Sequence, residues 1–259
     1  MSVADVLMIS EKRRNILLLL LEGAKSSKEL QTLLNVEWPS LKHPIKELKE
    51  ERFIIQENST YRLSNIGKIM VEATLPLLDM VSTFEGDVHY WRSRDLNVVP
   101  KELAKRIGEI TDYSLIRLDV NKMFEPLKYS LQDITHSSSL IALLAIVEPT
   151  TPKLLQTIAE NGSKISIVVT EEYLEKIKQI SYAELNKLLN LKNVNLFVFK
   201  EAVKPPQIMI ADNKMTAIFF NENGKYDYME IVTDNEIALK WGEELFIYYK
   251  DLSRPLSEI

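Results

Sequence analysis

The chain has 259 residues, 46% of them hydrophobic and 27% charged, with a formal net charge of −5. That is an ordinary soluble globular composition, long enough for one large domain or two modest ones, and its acidity argues against a protein that coats nucleic acid indiscriminately. The chain has no cysteine, which excludes disulfides, iron–sulfur clusters, thiolate zinc sites and cysteine nucleophiles.

The other absences narrow the chemistry further. The seven glycines are nowhere closer than 18 residues, so no glycine-rich phosphate loop or dinucleotide fingerprint exists. His43, His89 and His136 form no ligand pair at helical spacing, and no metal or cofactor is expected. The longest apolar runs, 16–21 and 140–147, fall far short of the ~20 residues a membrane span needs. No basic stretch followed by an apolar one marks a signal peptide. The expectation is a cytoplasmic protein without a membrane partner.

Charge is unevenly distributed. Residues 1–70 hold 11 Lys/Arg against 9 Asp/Glu, net +2, and the remainder 21 against 28, net −7. A mildly basic head on an acidic body suits a head that meets an anion.

In chain order, a first helix is expected over about 10–22, with Ser10 as cap and Gly23 as stop. A second spans about 27–34, where Ser26 and Glu29 have capping-box spacing. A third spans about 38–51, with Leu41, Ile45 and Leu48 on one buried stripe. Pro44 removes a backbone bond within it and should kink it. Two β-type runs, 53–56 and 60–63, flank a turn at Glu57-Asn58-Ser59. A long helix follows over about 65–84. Helix, helix, helix, hairpin is the order of a winged helix, and the short turn at 35–37 suits a helix-turn-helix.

The body alternates apolar, β-branched runs with helical stretches. Strands are expected at 113–118, 140–146, 164–169, 194–199, 207–211, 216–220 and 229–232. Helices are expected at about 122–134, 152–161, 171–179, 182–190 and 235–250. This pattern implies an α/β sheet with a largely parallel core, and antiparallel pairing among the last strands, whose links are short. The fold class is therefore α+β: an N-terminal winged helix-turn-helix over 1–65, a linker helix over 66–86, and an α/β domain with a mixed sheet over 87–259, serving as effector or dimerisation domain.

In the head, Leu41, Ile45 and Leu48 take the core side of the third helix. Ser40, Lys42, His43 and Lys46 remain outside, with Trp38 at its start. Lys and His reach phosphates or base edges, and an aromatic packs on sugar or a thymine methyl. Lys28 and Gln31 on the second helix, and Tyr61 and Arg62 in the wing, would add backbone contacts. Glu47, Glu50 and Glu51 dilute the helix's charge. The partner this constellation favours is double-stranded DNA, ahead of a winged helix used for protein contacts. Along the long helix, Ile66, Met70, Ala73, Leu77, Met80 and Phe84 follow steps of 4, 3, 4, 3 and 4, an a/d seam. It would serve either a homodimer or packing against the body.

The head resembles the ArsR-like winged helix. The stretches HYWRSRDLNVVPKELAKRIGEI (His89–Ile110) and DNEIALKWGEELFIYYKDLS (Asp234–Ser253) resemble archaeal winged-helix transcriptional regulators with a methanogenesis-regulatory, filamentation-regulator type effector domain, over nearly the whole chain. Arg94 stands where that family often has histidine. The resemblance implies sequence-specific DNA binding and gene regulation. The run from Gln207 to Trp241 is similar to one half of a phospholipase D fold. Catalysis there needs His-x-Lys, and the three histidines here are followed at that distance by Ile45, Trp91 and Ser138, so no enzyme is expected.

Asp87, His89, Tyr90, Trp91, Arg92, Arg94 and Asp95 form the densest polar-aromatic cluster. His89, Tyr90, Trp91, Arg94 and Asp95 would line an effector pocket. The alternative, which these residues favour, is a structural clamp with buried Arg–Asp pairs. His136 followed by three serines lacks a nucleophile elbow and reads as a loop. Trp241, Leu245 and Tyr248 read as packing. The function expected is a homodimeric DNA-binding regulator. The alternatives are an α/β enzyme with an appended winged helix, or a protein-interaction scaffold.

Overall fold

The computed structural model describes residues 10–118, 134–200 and 203–258. The chain divides into two compact units, Met1–Leu78 and Asp79–Ile259.

Among the described residues, the first unit opens with α1 (Glu11–Leu21), whose Ser10 cap accepts from the Arg13 amide at 3.4 Å. Ile16, Leu17 and Leu20 lie on its buried face. A short strand that the sequence pattern does not reveal, β1 (Lys25–Ser26), precedes α2 (Ser27–Leu34). The capping box is complete: Ser26 Oγ accepts from the Glu29 amide at 3.3 Å, and Glu29 accepts from the Ser26 amide at 2.7 Å. These bonds hold the Glu29 carboxyl below its ordinary pKa. Asn35 ends α2 in the left-handed region, φ 51°, a conformation asparagine tolerates.

Next comes α3 (Trp38–Glu50), which buries Leu41, Ile45 and Leu48 and runs unbroken through Pro44. The hairpin strands are β2 (Ile54–Glu57) and β3 (Thr60–Leu63), with Asn58 at φ 53° in the turn. β1 pairs with the other edge of β3, giving the sheet order β1-β3-β2. The core of this unit joins α1, α2, α3 and the hairpin through Leu30, Phe53, Ile54, Tyr61 and Leu63.

A long helix, α4 (Asn65–Gly86), follows. Ser64 ties its start to the turn before β2. Its amide donates to the Phe53 carbonyl at 2.9 Å and its hydroxyl to the Arg52 carbonyl at 2.6 Å, while its Oγ accepts from the Gly67 amide at 3.0 Å. The a/d seam does not face one way. Met70 packs on the first core, Met80 and Phe84 on that of the second unit, and Ile66, Ala73 and Leu77 are exposed.

In the second unit, α5 (Val88–Arg92), α6 (Lys101–Ala104) and a 3-10 turn (Ile107–Glu109) precede the sheet. The sheet has eight strands: β4 (Ser114–Arg117), β5 (Ser139–Leu144), β6 (Lys164–Thr170), β7 (Val194–Phe199), β8 (Gln207–Ala211), β9 (Lys214–Ile218), β10 (Met229–Thr233) and β11 (Arg254–Leu256). Their order is β11-β7-β6-β5-β8-β9-β10-β4. Parallel pairing is confined to β5, β6 and β7, which corrects the expected largely parallel core. β5 leads to β6 through α7 (Thr151–Glu160), and β6 leads to β7 through α8 (Glu171–Leu189), the crossovers that parallel neighbours need. The other neighbours pair antiparallel, β8 and β9 through the turn at Asp212 and Asn213. α8 is two helices meeting at Ser181, whose φ of −140° is not helical, as the expected break between 179 and 182 requires. The helix expected over 122–134 lies outside the described residues except for Ile134.

The last helix, α9 (Glu236–Asp251), buries Trp241 and Leu245 completely, whereas Tyr248 points outward. Trp241 Nε1 donates to the Leu103 carbonyl at 3.0 Å, so a large apolar ring is buried with its one donor satisfied. Among the described residues no helix is long and apolar enough to cross a membrane.

Candidate nucleic-acid interface

The geometry of α3 follows from what its buried stripe leaves outside. Lys42, His43 and Lys46 are exposed, and Trp38 and Ser40 half-buried at the helix start. Ser40 Oγ donates to the Glu37 carbonyl at 2.8 Å, so it is engaged in closing the first turn. The three glutamates that dilute the helix behave differently from one another. Glu47 turns toward α1, where it meets Arg13 Nη1 at 2.7 Å, and it also lies 3.5 Å from His43 Nε2. Glu50 lies 3.7 Å from Lys46. Glu51 is exposed at the end of the helix. Lys42 and Lys28 have no ion-pair partner among the described residues, so their charge is available to an anion.

On α2, Lys28 is exposed, and Gln31 is half-buried with its side-chain amide donating to the Ser27 carbonyl at 3.2 Å. The wing differs from expectation. Tyr61 is only 5% exposed and belongs to the core, its ring 6.4 Å from that of Trp38. It is not a surface residue of the hairpin. The alternation Thr60-Tyr61-Arg62-Leu63 carries the reason: Tyr61 and Leu63 share the inward face of β3. Arg62 is outward but pairs with Glu57 across the hairpin. That pairing lowers the Glu57 carboxyl pKa. A groove of about 350 Å³ is lined by Trp38, Lys42, Lys46, Lys49, Glu50 and the edge of Tyr61. Lys49 is a further cation beside this groove. Its ammonium donates to Gln56 Oε1 of β2 at 2.7 Å. The signal for it was there, seven residues after Lys42 on the same face.

The polar-aromatic cluster of the second unit has a structural arrangement. Asp87 caps α5 by accepting from the Tyr90 amide at 2.8 Å. Tyr90, Trp91 and Arg94 are buried, while His89 is exposed and Asp95 half-buried. Trp91 Nε1 donates to Tyr113 Oη at 2.8 Å, and Tyr113 Oη donates to the Thr83 carbonyl at 3.0 Å. Burial pushes the Tyr90 and Tyr113 phenols up. The Arg94 side chain is fully buried. It donates to the Tyr90 carbonyl at 3.1 Å and the Phe219 carbonyl at 3.0 Å, and forks onto Asp227. Its guanidinium lies 4.0 Å from the centre of the Tyr90 ring. Five expected pocket residues are thus split: three hold the core together and two lie nearer the surface.

Asp227, 133 residues away, is the partner that the cluster's sequence could not supply. Near it, Glu230 is buried and accepts from Tyr226 Oη at 2.9 Å, and burial raises its carboxyl pKa. Ser138, after the His136 loop, donates by amide and hydroxyl to Asp212, a turn clamp. Among the described residues, no group of three or more His, Asp or Glu could hold a metal.

Among the described residues, one chain holds a head of three helices and a small sheet, with basic residues outside on α3, and a mixed sheet of eight strands. A family model described as the middle domain of the methanogenesis regulatory protein FilR1 matches residues 123–252, half of the chain. A model of the N-terminal domain of the same protein matches residues 4–82. The chain belongs to the methanogenesis regulatory protein FilR1 family. The methanogenesis regulatory protein FilR1 of Methanothrix harundinacea (strain 6Ac) is 25% identical over 259 residues, spanning 96% of this chain and 57% of the relative's length. Among solved structures, similarity is found to TrmBL2, described as an archaeal chromatin protein with a novel mode of DNA binding. The identity is 11%, with 93% of this chain and 92% of that one covered and a TM-score of 0.45. Nuc, a phospholipase D family member from Salmonella typhimurium, is 14% identical, covers 57% of this chain and 100% of its own, and has a TM-score of 0.42.

Proposed function

We propose that the chain is a sequence-specific transcriptional regulator that binds double-stranded DNA as a homodimer in the cytoplasm, with an ArsR-like winged helix as its reading head. One observation carries this reading: α3 leaves Lys42, His43, Lys46 and Trp38 on its outer side while its Glu47 is turned inward to Arg13. The helix therefore offers cations and an aromatic to DNA and keeps one of its carboxylates away from it. Membership of a family of regulatory proteins supports the same reading. In it, α3 enters the major groove, Lys28 and Gln31 approach the phosphates from α2, and Arg62 does so from the wing once it exchanges Glu57 for phosphate. A two-fold pair sets two copies of α3 about one helical turn of DNA apart. The body, residues 87–259, serves as effector or dimerisation domain. An effector acts there by differential affinity for two arrangements of the heads.

Lys42 gives the direct test. Its unpaired charge is expected to meet one phosphate. Lys42→Gln should weaken binding to every duplex alike and lower the slope of log affinity against log salt by about one. A salt titration that leaves the slope unchanged removes Lys42 from the interface.

A further inference from the structure

β2 is the outer strand of the head's sheet, and its second edge has no strand partner among the described residues. A depression of about 690 Å³ runs along that edge. It is lined by Ile54, Ile55 and Gln56 of β2, by Lys49 and Arg52, and by Ile66 at the start of α4. Ile55 is 37% exposed and Ile66 58%. Open strand edges beside exposed isoleucines are surfaces on which another chain pairs.

The direction of the free backbone groups is set by the hairpin. The Phe53 carbonyl accepts from the Ser64 amide, so residue 53 bonds toward β3. Polar groups alternate along an antiparallel ladder. Ile55 and Glu57 therefore also bond toward β3, and Ile54 and Gln56 direct their N–H and C=O groups to the open edge.

We infer that this edge is the docking surface for a second copy of the chain, β2 against β2, antiparallel about a two-fold axis at Ile55. This inference rests on the homodimer reading above and names its interface. A two-fold at Ile55 opposes Ile54 of one copy to Gln56 of the other, and Gln56 to Ile54. Both members of each pair have outward groups, so each pair exchanges both hydrogen bonds. Ile55 meets its own symmetry copy in the non-hydrogen-bonded position, where side chains approach closest. The charges also match. Antiparallel pairing brings the Lys49 and Arg52 end of one edge beside the Glu57 end of the other, where Glu57, ion-paired with Arg62 of its own hairpin, can also meet the partner's cations. A two-fold interface needs one patch that is complementary to itself. This edge supplies a basic start, an apolar centre and an acidic end. The result is one continuous sheet through both heads.

Because the natural chain has no cysteine, Ile55→Cys introduces a single thiol at the axis. Cα atoms in such a pair lie ~4.5 Å apart, within reach of a disulfide. The experiment uses the full chain. Light scattering on the wild type should give twice the 29.9 kDa of one chain. Mild oxidation of Ile55→Cys should trap a disulfide-linked dimer on a non-reducing gel. Ile180→Cys, on the exposed side of α8, should stay unlinked at the same concentration. Ile55→Asp, at a site that is already part exposed, should halve the mass while leaving the circular dichroism unchanged. A monomeric wild type at micromolar concentration overturns the homodimer and this interface together. A wild-type dimer that Ile55→Asp leaves intact and Ile55→Cys fails to cross-link overturns the interface alone.

Discussion

Gly67→Ala is expected to unfold the head while leaving the body folded. A Cβ on Gly67 would lie 2.0 Å from the Phe53 carbonyl oxygen and 2.9 Å from its carbon. Both atoms are backbone, so no side chain can turn away to make room. The Phe53 carbonyl is also the acceptor for Ser64, whose other bonds hold the start of α4 and the turn between α3 and β2. Moving it would break the junction of α3, β2 and α4 at once. Overpacking a core commonly costs ~1–3 kcal/mol, and a backbone clash in this junction should reach at least the top of that range, ~3 kcal/mol. Hydrogen exchange on the full chain should show loss of amide protection across 11–63 and unchanged protection in β5, β6 and β7. Native-like protection throughout would mean that the junction relaxes more easily than its geometry indicates.

Asp227→Ala is expected to have the largest effect in the body. It removes the carboxylate from a guanidinium that is wholly buried. The two carbonyls and the Tyr90 ring remain, but none carries a counter-charge. Breaking a buried ion pair from one side costs ~3–5 kcal/mol. Asp227 itself is 31% exposed, so the loss should lie near ~3 kcal/mol, the lower end of that range. Urea unfolding followed by tryptophan fluorescence, to which Trp91 and Trp241 of the body contribute together with Trp38 of the head, should show the midpoint fall in the body's transition. Asp227→Asn keeps hydrogen-bond acceptors and should recover part of it. Equal midpoints for wild type and Asp227→Ala would show that water already screens this pair.

The parts of this fold readable from sequence are those with local causes. Ser26 and Glu29 announced their capping box because its bonds span three residues. The break at Ser181 and the ends of most strands followed from periodicity. What depends on distant pairing was not readable. β1 is two residues long and exists because Tyr61 and Thr60 pair with it. β11 likewise depends on β7. Alternation of strand and helix does not fix strand direction by itself: β5, β6 and β7 run parallel, but β11, reached through α9, pairs antiparallel with β7, and β8 enters antiparallel beside β5.

The candidate interface divides in the same way. The outward position of Lys42, His43 and Lys46 is the complement of a buried stripe written in the sequence. Tyr61 in the wing is expected from its chemistry to contact the DNA backbone, whereas its alternation with Leu63 on β3 puts it in the core. The depression along β2 unites Lys49, Arg52 and Ile66, three residues from different elements. Only the folded chain brings them together.

Base reading by α3 is tested by fluorescence anisotropy of the full chain with a duplex from upstream of its own gene and a scrambled duplex of the same composition, at two salt concentrations. Binding to the native duplex should be tighter, with a ratio over the scrambled one that survives the higher salt. Weak binding, equal for both duplexes and lost at the higher salt, would contradict base reading.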